Sequence, residues 1–170
     1  MIRSGCHRAF VAVLLIILPV AFPVAGCAPI FPREAMDQVN TSLAFSSLRN
    51  NPDQFKGQRV MLAGVIISSK NSKDGTYLEV LQKPMNSRGR PEETDESEGR
   101  FIAQSAEFLD AAVYRTGRQI TVIGEVLGRK ELPLDEILYA YPLLAVKHLH
   151  LWEPYSGPRF FFGVGVSGHI

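Results

Sequence analysis

Two ten-residue stretches share one layout, and this recurrence constrains the fold more than any other feature of the chain. Residues 57–66 and 117–126 each begin with a glycine, continue with two polar residues and alternating apolar positions, and carry a second glycine, Gly64 or Gly124. Alternation rich in β-branched residues predicts a β-strand. Glycine inside a strand is typical of a bulge or of a sharp bend at a barrel corner. Two copies are too few for a solenoid, so we predict two strongly coiled strands of one small barrel.

The remaining pattern supplies three more strands and one helix. Strands are predicted at residues 57–66, 77–82, 100–104, 119–127 and 141–152. Between the third and fourth strands, Ser105 can act as an N-cap and Glu107 suits the positive end of a helix dipole. With apolar pairs spaced i, i+4, these residues predict a helix over residues 105–115 that ends at Gly117. This is the element order of an OB-fold, so we predict a mainly β fold, an OB-fold-like five-stranded barrel over residues 41–153.

Two local features set the geometry of this barrel. The Asp-Gly pair within residues 71–75 predicts a hairpin turn between the first two strands. In the last strand the apolar phase changes after Val146, so that Leu149 falls on the opposite face. A bulge near Lys147 or His148 would return the strand to a single buried face.

The N-terminal segment has the order of a secretory signal peptide. A positively charged start with Arg3 and Arg8 precedes an apolar run, and small residues follow at positions 24–27. This sequence of charge, apolar core and small-residue site is typical of a cleaved leader. We predict a signal peptide over residues 1–26.

The last four residues of this segment, Val24-Ala25-Gly26-Cys27, resemble the lipobox of bacterial lipoproteins. That resemblance implies cleavage between Gly26 and Cys27, a diacylglycerol on the Cys27 thiol, and acylation of the new N-terminus by a fatty acid such as palmitate. More than one acyl chain makes membrane attachment durable. We therefore predict outer-membrane lipid as a partner, and a Pro-containing tether over residues 27–40 that holds the domain off the lipid.

The alternative is an uncleaved transmembrane anchor, because no charged side chain occurs between Ala9 and Pro32 and such a length can span a bilayer. Four prolines interrupt that stretch, which favours the leader. Ala28 follows the cysteine, and in the bacterial sorting rule that accompanies the lipobox an Asp at this position retains the protein at the inner membrane. We therefore predict an outer-membrane location, with the domain facing the periplasm.

Composition narrows the function classes. Lys and Arg total 18 against 17 Asp and Glu, and removal of Arg3 and Arg8 with the leader leaves one net negative charge. The chain therefore lacks the cationic excess of nucleic-acid-binding proteins, and we predict no nucleic-acid partner. Cys6 and Cys27 are the two cysteines, and both precede the domain, which excludes a disulfide scaffold or a Cys-rich zinc module.

Eight short stretches, in order along the chain, carry a resemblance to a known family. They are Cys27-Ala28-Pro29, residues 31–37, 51–57, 87–91, 97–101 and 108–110, Tyr141-Pro142 and residues 150–152. Together they resemble the Slp family of starvation-inducible outer-membrane lipoproteins over nearly all of residues 27–153. The resemblance implies outer-membrane attachment through Cys27 and a role linked to starvation or stress. The family carries no agreed catalytic activity, so no active-site residues transfer.

Patterns for catalysis or metal binding are sparse. No Gly-x-Ser-x-Gly elbow, P-loop or His-Glu-x-x-His motif occurs. His148 and His150 could begin a zinc site, but no further ligand lies in a nearby motif. We predict no catalytic residues, no metal and no cofactor. The leading hypothesis is a non-enzymatic binding or structural module, and the competing one is a periplasmic hydrolase or ligand-modifying enzyme with an unrecognised site.

Residues 83–100 form the most polar stretch of the chain. The candidate partner-binding residues within it are Arg88, Arg90, Glu92, Glu93, Asp95 and Glu96. One interpretation is a charged docking loop beside the barrel mouth for an envelope protein or glycan, since loops of this length are often functional. A weak calcium site is another, although EF-hand spacing is missing. The third, which we favour, is a solvated loop whose basic and acidic halves attract one another.

The tail, residues 154–170, combines Phe160-Phe161-Phe162 with a short Gly-Val run, and Arg159 is its sole Asp, Glu, Lys or Arg residue. Family tails are often rich in Trp and Tyr, so this one departs from them. A bare segment of this kind promotes aggregation. Two interpretations stay open, namely insertion into a partner or the lipid surface, and an added strand that covers a barrel edge.

Overall fold

The computed structural model describes residues 29–154, in which five strands follow three short helical segments. The elements are α1 (Arg33–Met36), α2 (Phe45–Asn50), a 3-10 helix (Pro52–Phe55), β1 (Arg59–Ser72), β2 (Gly75–Lys83), β3 (Arg100–Ser105), β4 (Gln119–Leu134) and β5 (Ile137–Leu151). None of the helices in residues 29–154 is long and apolar enough to cross a membrane. The predicted signal peptide, Cys27 and the tail from residue 155 onward lie outside the described residues.

The five strands form a closed barrel in the order β1-β2-β3-β5-β4. All neighbouring pairs are antiparallel except β3 and β5, which run parallel and close the barrel. This order and the closure confirm the predicted OB-fold-like five-stranded barrel. The two recurrent stretches are neighbours, because Val60 of β1 pairs with Gly124 of β4, and Gly64 with Ile120.

The mid-strand glycines lie where the backbone is crowded. A Cβ atom on Gly64 would lie 2.1 Å from the carbonyl oxygen of Leu81 on β2, and one on Gly124 would lie 2.9 Å from Leu144 on β5. Only glycine permits so close an approach without displacing a neighbouring strand. Close strand packing therefore accounts for glycine at these two positions.

The bulge in the last strand is confirmed at Lys147. The pairing of β4 with β5 passes from Ile123 and His148 to Gly124 and Val146, which leaves Lys147 without a partner. Leu149 consequently packs against the same interior as Val146. That interior is apolar, and its buried strand residues are Val60, Leu62, Ile66, Leu78, Val80, Phe101, Ala103, Ile120, Val122, Val126 and Leu144.

The predicted helix over residues 105–115 is wrong. Ser105 still belongs to β3, and the chain then runs in bends to a single turn at residues 111–113. Leu109 donates its backbone N–H to the Thr76 hydroxyl at 2.8 Å, and its side chain packs against the core. Asp110 accepts the backbone N–H of Ala112 on its carboxylate at 2.8 Å. Such local side-chain bonds compete with the hydrogen bonds of a helix. They prevail here because the Leu109 side chain packs against the barrel core.

β4 and β5 extend beyond the predicted ranges as a long hairpin with a two-residue turn. Asp135 in this turn has a φ of 53°, a conformation that Asp tolerates better than most residues. The hairpin bends over the outer face of β2, because the ammonium of Lys130 lies 3.9 Å from the centre of the Tyr77 ring. This outer sheet face is therefore partly occupied by the chain itself.

The described part of the predicted tether packs against the barrel. Phe31 and Ala35 are both 5% exposed, and Val39 forms a parallel bridge with Arg59 at the start of β1. The prolines in this range suggested a spacer, but the apolar residues between them outweigh that tendency because they bury surface against β4.

Candidate functional site

The N-terminal segment of residues 29–40 forms a second, smaller apolar cluster on the outer wall of the barrel. Phe31, Ala35 and Ile123 are its buried members. The Phe31 ring contacts His148 and His150 of β5, with ring centres 6.0 and 6.5 Å apart. This cluster holds the segment in a fixed place and makes it one wall of the site below.

An apolar groove of about 690 Å³ lies between this segment, β1 and the connection from β2 to β3. Its lining residues are Met36, Val39, Asn40, Thr41, Leu43, Ala44, Phe45, Val60, Met61, Leu62, Gln82, Pro84, Met85, Glu96, Ser97 and Glu98. Its volume is in the range of ligand sites, which are also mainly apolar with a few polar groups. Met36, Met61 and Met85 come from three separate segments, and methionine adapts its shape to varied partners.

Both charged residues that line this groove, Glu96 and Glu98, are acidic and exposed. Neither carboxylate forms an ion pair within residues 29–154. The Arg49 guanidinium donates to the backbone oxygen of Glu98, so it contacts the rim without neutralising either side chain directly. The groove therefore offers apolar walls and a negative edge.

A second cleft of about 420 Å³ adjoins the groove. The two share Met36 and Met61, and the second is also lined by Pro29, Gly89 and Trp152. It lies where the described chain begins and close to where it ends. Both chain termini of the domain therefore lie beside this apolar surface.

The charged connection of residues 84–99 is folded onto the barrel over part of its length. The Thr121 hydroxyl, fully buried on the outer face of β4, donates to the Gly89 oxygen at 2.6 Å and accepts the Trp152 indole N–H at 2.9 Å. Arg90 donates to Gln119 at 2.9 Å and to the Glu153 oxygen at 3.0 Å. Its guanidinium also lies 5.4 Å from the centre of the Trp152 ring.

The candidate partner-binding residues of this connection thus separate into two sets. Arg90 is held by Gln119, Trp152 and Glu153, whereas Arg88, Glu92, Glu93, Asp95 and Glu96 are exposed. Glu93 accepts a hydrogen bond from the Gln119 amide at 2.9 Å. Of all six, Glu96 lines the groove and Arg88 lines the second cleft.

His148 and His150 serve as packing partners of Phe31, and His150 also contacts Trp152 with ring centres 4.4 Å apart. Within residues 29–154, no group of three or more His, Cys, Asp or Glu side chains is placed to hold a metal ion. The aromatic contacts account for both imidazoles.

A polar cluster lies on the outer face of β2, β3 and β5, away from the groove. Arg100 pairs with Glu79 at 2.7 Å, and the buried Tyr141 donates its hydroxyl to the same carboxylate at 3.1 Å. The bond to Glu79 raises the pKa of Arg100. Burial, followed by the nearby Glu79 charge, raises the pKa of Tyr141 above its usual 10.0. Arg100 and Tyr141 thus find their hydrogen-bond acceptor in Glu79. None of the three residues lines the groove or the second cleft.

Asp53 is the acidic residue whose pKa is lowered, chiefly by its hydrogen bond with Lys56 and then by the backbone N–H of Arg129. It is exposed, and its carboxylate lies 2.8 Å from the Lys56 ammonium. These bonds join the 3-10 helix to β4. The arrangement is that of a surface ion pair and has no enclosed space for a substrate.

Sequence reasoning did not find the groove. Its wall residues are scattered over positions 36–45, 60–62, 82–85 and 96–98, and no spacing rule connects them. The available signal was the short run of apolar residues in the tether range, which indicated burial against something. The site depends on that packing.

Comparison with known proteins gives consistent results. The model of the Outer membrane lipoprotein Slp family matches residues 24–161. The chain is 25% identical to the outer membrane protein Slp of Escherichia coli (strain K12) over 139 residues, 81% of this chain and 73% of that protein. It is 28% identical to the uncharacterized lipoprotein YeaY of the same organism over 102 residues, 60% of this chain and 52% of that one.

Among solved structures, the small single-stranded DNA-binding protein from Streptomyces coelicolor aligns with a TM-score of 0.33 and 8% identity, covering 56% of this chain and 93% of that chain. A similarity at this level supports no conclusion about binding.

Replacement of Thr121 by Val should destabilise the domain by about 1–3 kcal/mol, because it leaves the buried Gly89 oxygen and the Trp152 N–H without their partner. Urea unfolding measures this loss. Thr116→Val is the matched control, since that hydroxyl donates to the Ile67 oxygen from an exposed position, and a change within about 0.5 kcal/mol is expected. Equal losses in both variants would contradict the role given to Thr121.

The stability of the domain should fall as the pH rises above about 10, partly through Tyr141. Because its pKa is raised in the folded state, the unfolded chain releases the phenol proton first, and stability present below pH 10 is lost above it, by at most about 1.4 kcal/mol per pH unit. Urea unfolding at a series of pH values from 9 to 11 gives the free energy of unfolding at each pH. This free energy should fall less steeply with pH in Tyr141→Phe than in the parent protein. The Tyr139→Phe control keeps Tyr141, so its free energy of unfolding should fall as steeply as that of the parent.

Proposed function

The chain belongs to the outer membrane lipoprotein Slp family, and from this premise we propose that it is a lipid-anchored, non-enzymatic binding module of the cell envelope. Cys27 carries the lipid, the domain faces the periplasm, and the groove between the N-terminal segment, β1 and the β2–β3 connection binds a partner. The partner is a polypeptide segment with apolar side chains next to a basic one. The position of an apolar groove beside acidic residues that form no ion pair within residues 29–154 is the single observation that carries this binding role.

Three features of the groove support such a partner. Met36, Met61 and Met85 give an apolar surface that adapts to aliphatic and aromatic side chains. The Glu96 and Glu98 carboxylates at the rim favour a cation beside the apolar contact and disfavour an anion. Hydrogen bonds hold this rim in place, because the Gln82 amide oxygen accepts the Glu98 backbone N–H at 3.0 Å and the Ser97 hydroxyl donates to the Gly99 oxygen at 3.2 Å.

The polar cluster gives the competing hydrolase hypothesis no comparable support. Its carboxylate, Glu79, is already bonded to Arg100, Tyr141 and Ser68. A general base needs a free lone pair within reach of a bound substrate, and here the bonding partners occupy the carboxylate outside both clefts.

The resemblance to starvation-inducible relatives extends the proposal to stress. The amount of this protein per cell should rise in stationary cultures relative to growing ones, and immunoblotting measures it.

Substitution of Cys27 by Ser should abolish labelling of the protein by radioactive palmitate in a Gram-negative host, because no thiol is left to take the diacylglycerol. Cys6→Ser is the matched control, since it removes the other cysteine and lies within the predicted leader. That variant should label like the parent chain. Undiminished labelling of the Cys27 variant would refute the anchor.

The groove is tested with two fluorescent peptides that carry the same three apolar residues, one beside an arginine and one beside a glutamate. The lipidated protein in phosphatidylcholine vesicles should bind the arginine peptide at least tenfold more tightly, a difference of about 1.4 kcal/mol, as measured by anisotropy against protein-free vesicles. Met85→Asp should remove this binding. Leu138→Asp, at an exposed apolar position on the β4–β5 hairpin, should leave it intact, and equal loss in both would contradict the site.

A further inference from the structure

The last described residues of the chain are held firmly at the edge of the second cleft. Trp152 donates its backbone N–H to the Gln119 oxygen at 3.0 Å, and its own oxygen accepts a bond from Arg118 at 3.0 Å. The Glu153 oxygen accepts from Arg90, also at 3.0 Å. The following residues therefore start two positions beyond a fixed point, Trp152, which lines the second cleft together with Met36 and Met61.

The sequence that starts there has the chemistry that the groove favours. Arg159 immediately precedes Phe160-Phe161-Phe162, and residues 155–170 contain no Asp or Glu. Aromatic side chains find apolar contact with methionine favourable, and the guanidinium is complementary to Glu96 and Glu98 at the rim.

Phe161 lies eight positions after Glu153, so an extended chain between them reaches up to about 26 Å, at roughly 3.3 Å per residue. The second cleft, which Trp152 lines, shares Met36 and Met61 with the groove, which Met85 lines, so adjoining apolar surface lies between Trp152 and Met85.

We propose that residues 159–162 of this chain occupy the groove in cis and compete there with a partner segment. This inference rests on the groove named in the proposed function. A segment tethered by a short linker has an effective concentration in the millimolar range. A partner must therefore displace it, and the tail sets the affinity threshold for binding. Glycine is conformationally permissive, so the glycines at positions 163, 165 and 168 let the rest of the tail move when residues 159–162 leave the groove.

The test is disulfide trapping of the full-length protein in cells, with an added oxidant. Met85→Cys combined with Phe161→Cys should give an intramolecular disulfide, seen as a faster-migrating monomer on non-reducing gels and as a crosslinked peptide by mass spectrometry. Leu138→Cys with Phe161→Cys is the control, because Leu138 is exposed but lies at the far end of β5. The yield at Met85 should exceed the control at least fivefold.

Charge reversal adds a second measurement that does not depend on the cysteine positions alone. Glu96→Lys with Glu98→Lys should lower the trapping yield severalfold, and Arg159→Glu in that background should restore it. All of these side chains are exposed or lie in the tail, so folding of the barrel is not at risk, and the amount of protein per cell checks this.

Each other outcome overturns either the placement of the tail in the groove or its competition with a partner. Equal yields at Met85 and Leu138 indicate a tail without a preferred place, and a disulfide between two chains indicates a second copy as the occupant. If trapping fails while the arginine peptide still binds the groove, the tail is not its ligand but the proposed function stands. The triple variant Phe160→Ser, Phe161→Ser and Phe162→Ser should free the groove. If trapping succeeds and the arginine peptide does not bind even to this variant, the groove binds the tail and no partner segment.

Discussion

The packing of Phe31 against β5 is the interaction on which the rest of the site depends. The ring is almost fully buried between His148 and His150, and it fixes residues 29–40 on a barrel that is otherwise complete. The bridge between Val39 and Arg59 holds the other end of this segment, and together the two contacts place Met36 beside Met61 in the wall of the groove. Burial of this one aromatic ring, which contributes about 1.5–3 kcal/mol, thus makes the N-terminal segment one wall of the groove.

The barrel itself could be predicted from the sequence because its signals are local. The recurrent glycines, the alternation around them and the phase change after Val146 each act within about ten residues, and each has its counterpart in β1, β4 or the bulge at Lys147. The helix over residues 105–115 failed for a non-local reason. Its i, i+4 pairs were real, but Leu109 is drawn to the barrel end by Thr76, which lies 33 residues earlier.

The groove could not be predicted, because it exists only between elements. The prolines of the tether range were interpreted as a spacer, and nothing in sequence indicated that Phe31 meets a strand more than a hundred residues later. The charged connection showed the opposite error of emphasis. Its composition favoured a solvated loop over a docking loop, whereas Arg90 is used to hold Trp152 and Glu153 in place, and Glu96 belongs to the rim of an apolar site.

The position of the proposed anchor gives the groove a particular setting. Only one residue lies between Cys27, the proposed lipidation site, and Pro29, which lines the second cleft, so at most about 7 Å of chain separates Cys27 from Pro29. A segment bound in the groove would therefore meet the protein next to the bilayer surface. Partners that are themselves held at the membrane reach such a site at high local concentration. Proximity raises the local concentration of every membrane-bound segment alike, so it does not discriminate among them. The acidic rim does discriminate, because it favours segments that carry a basic residue.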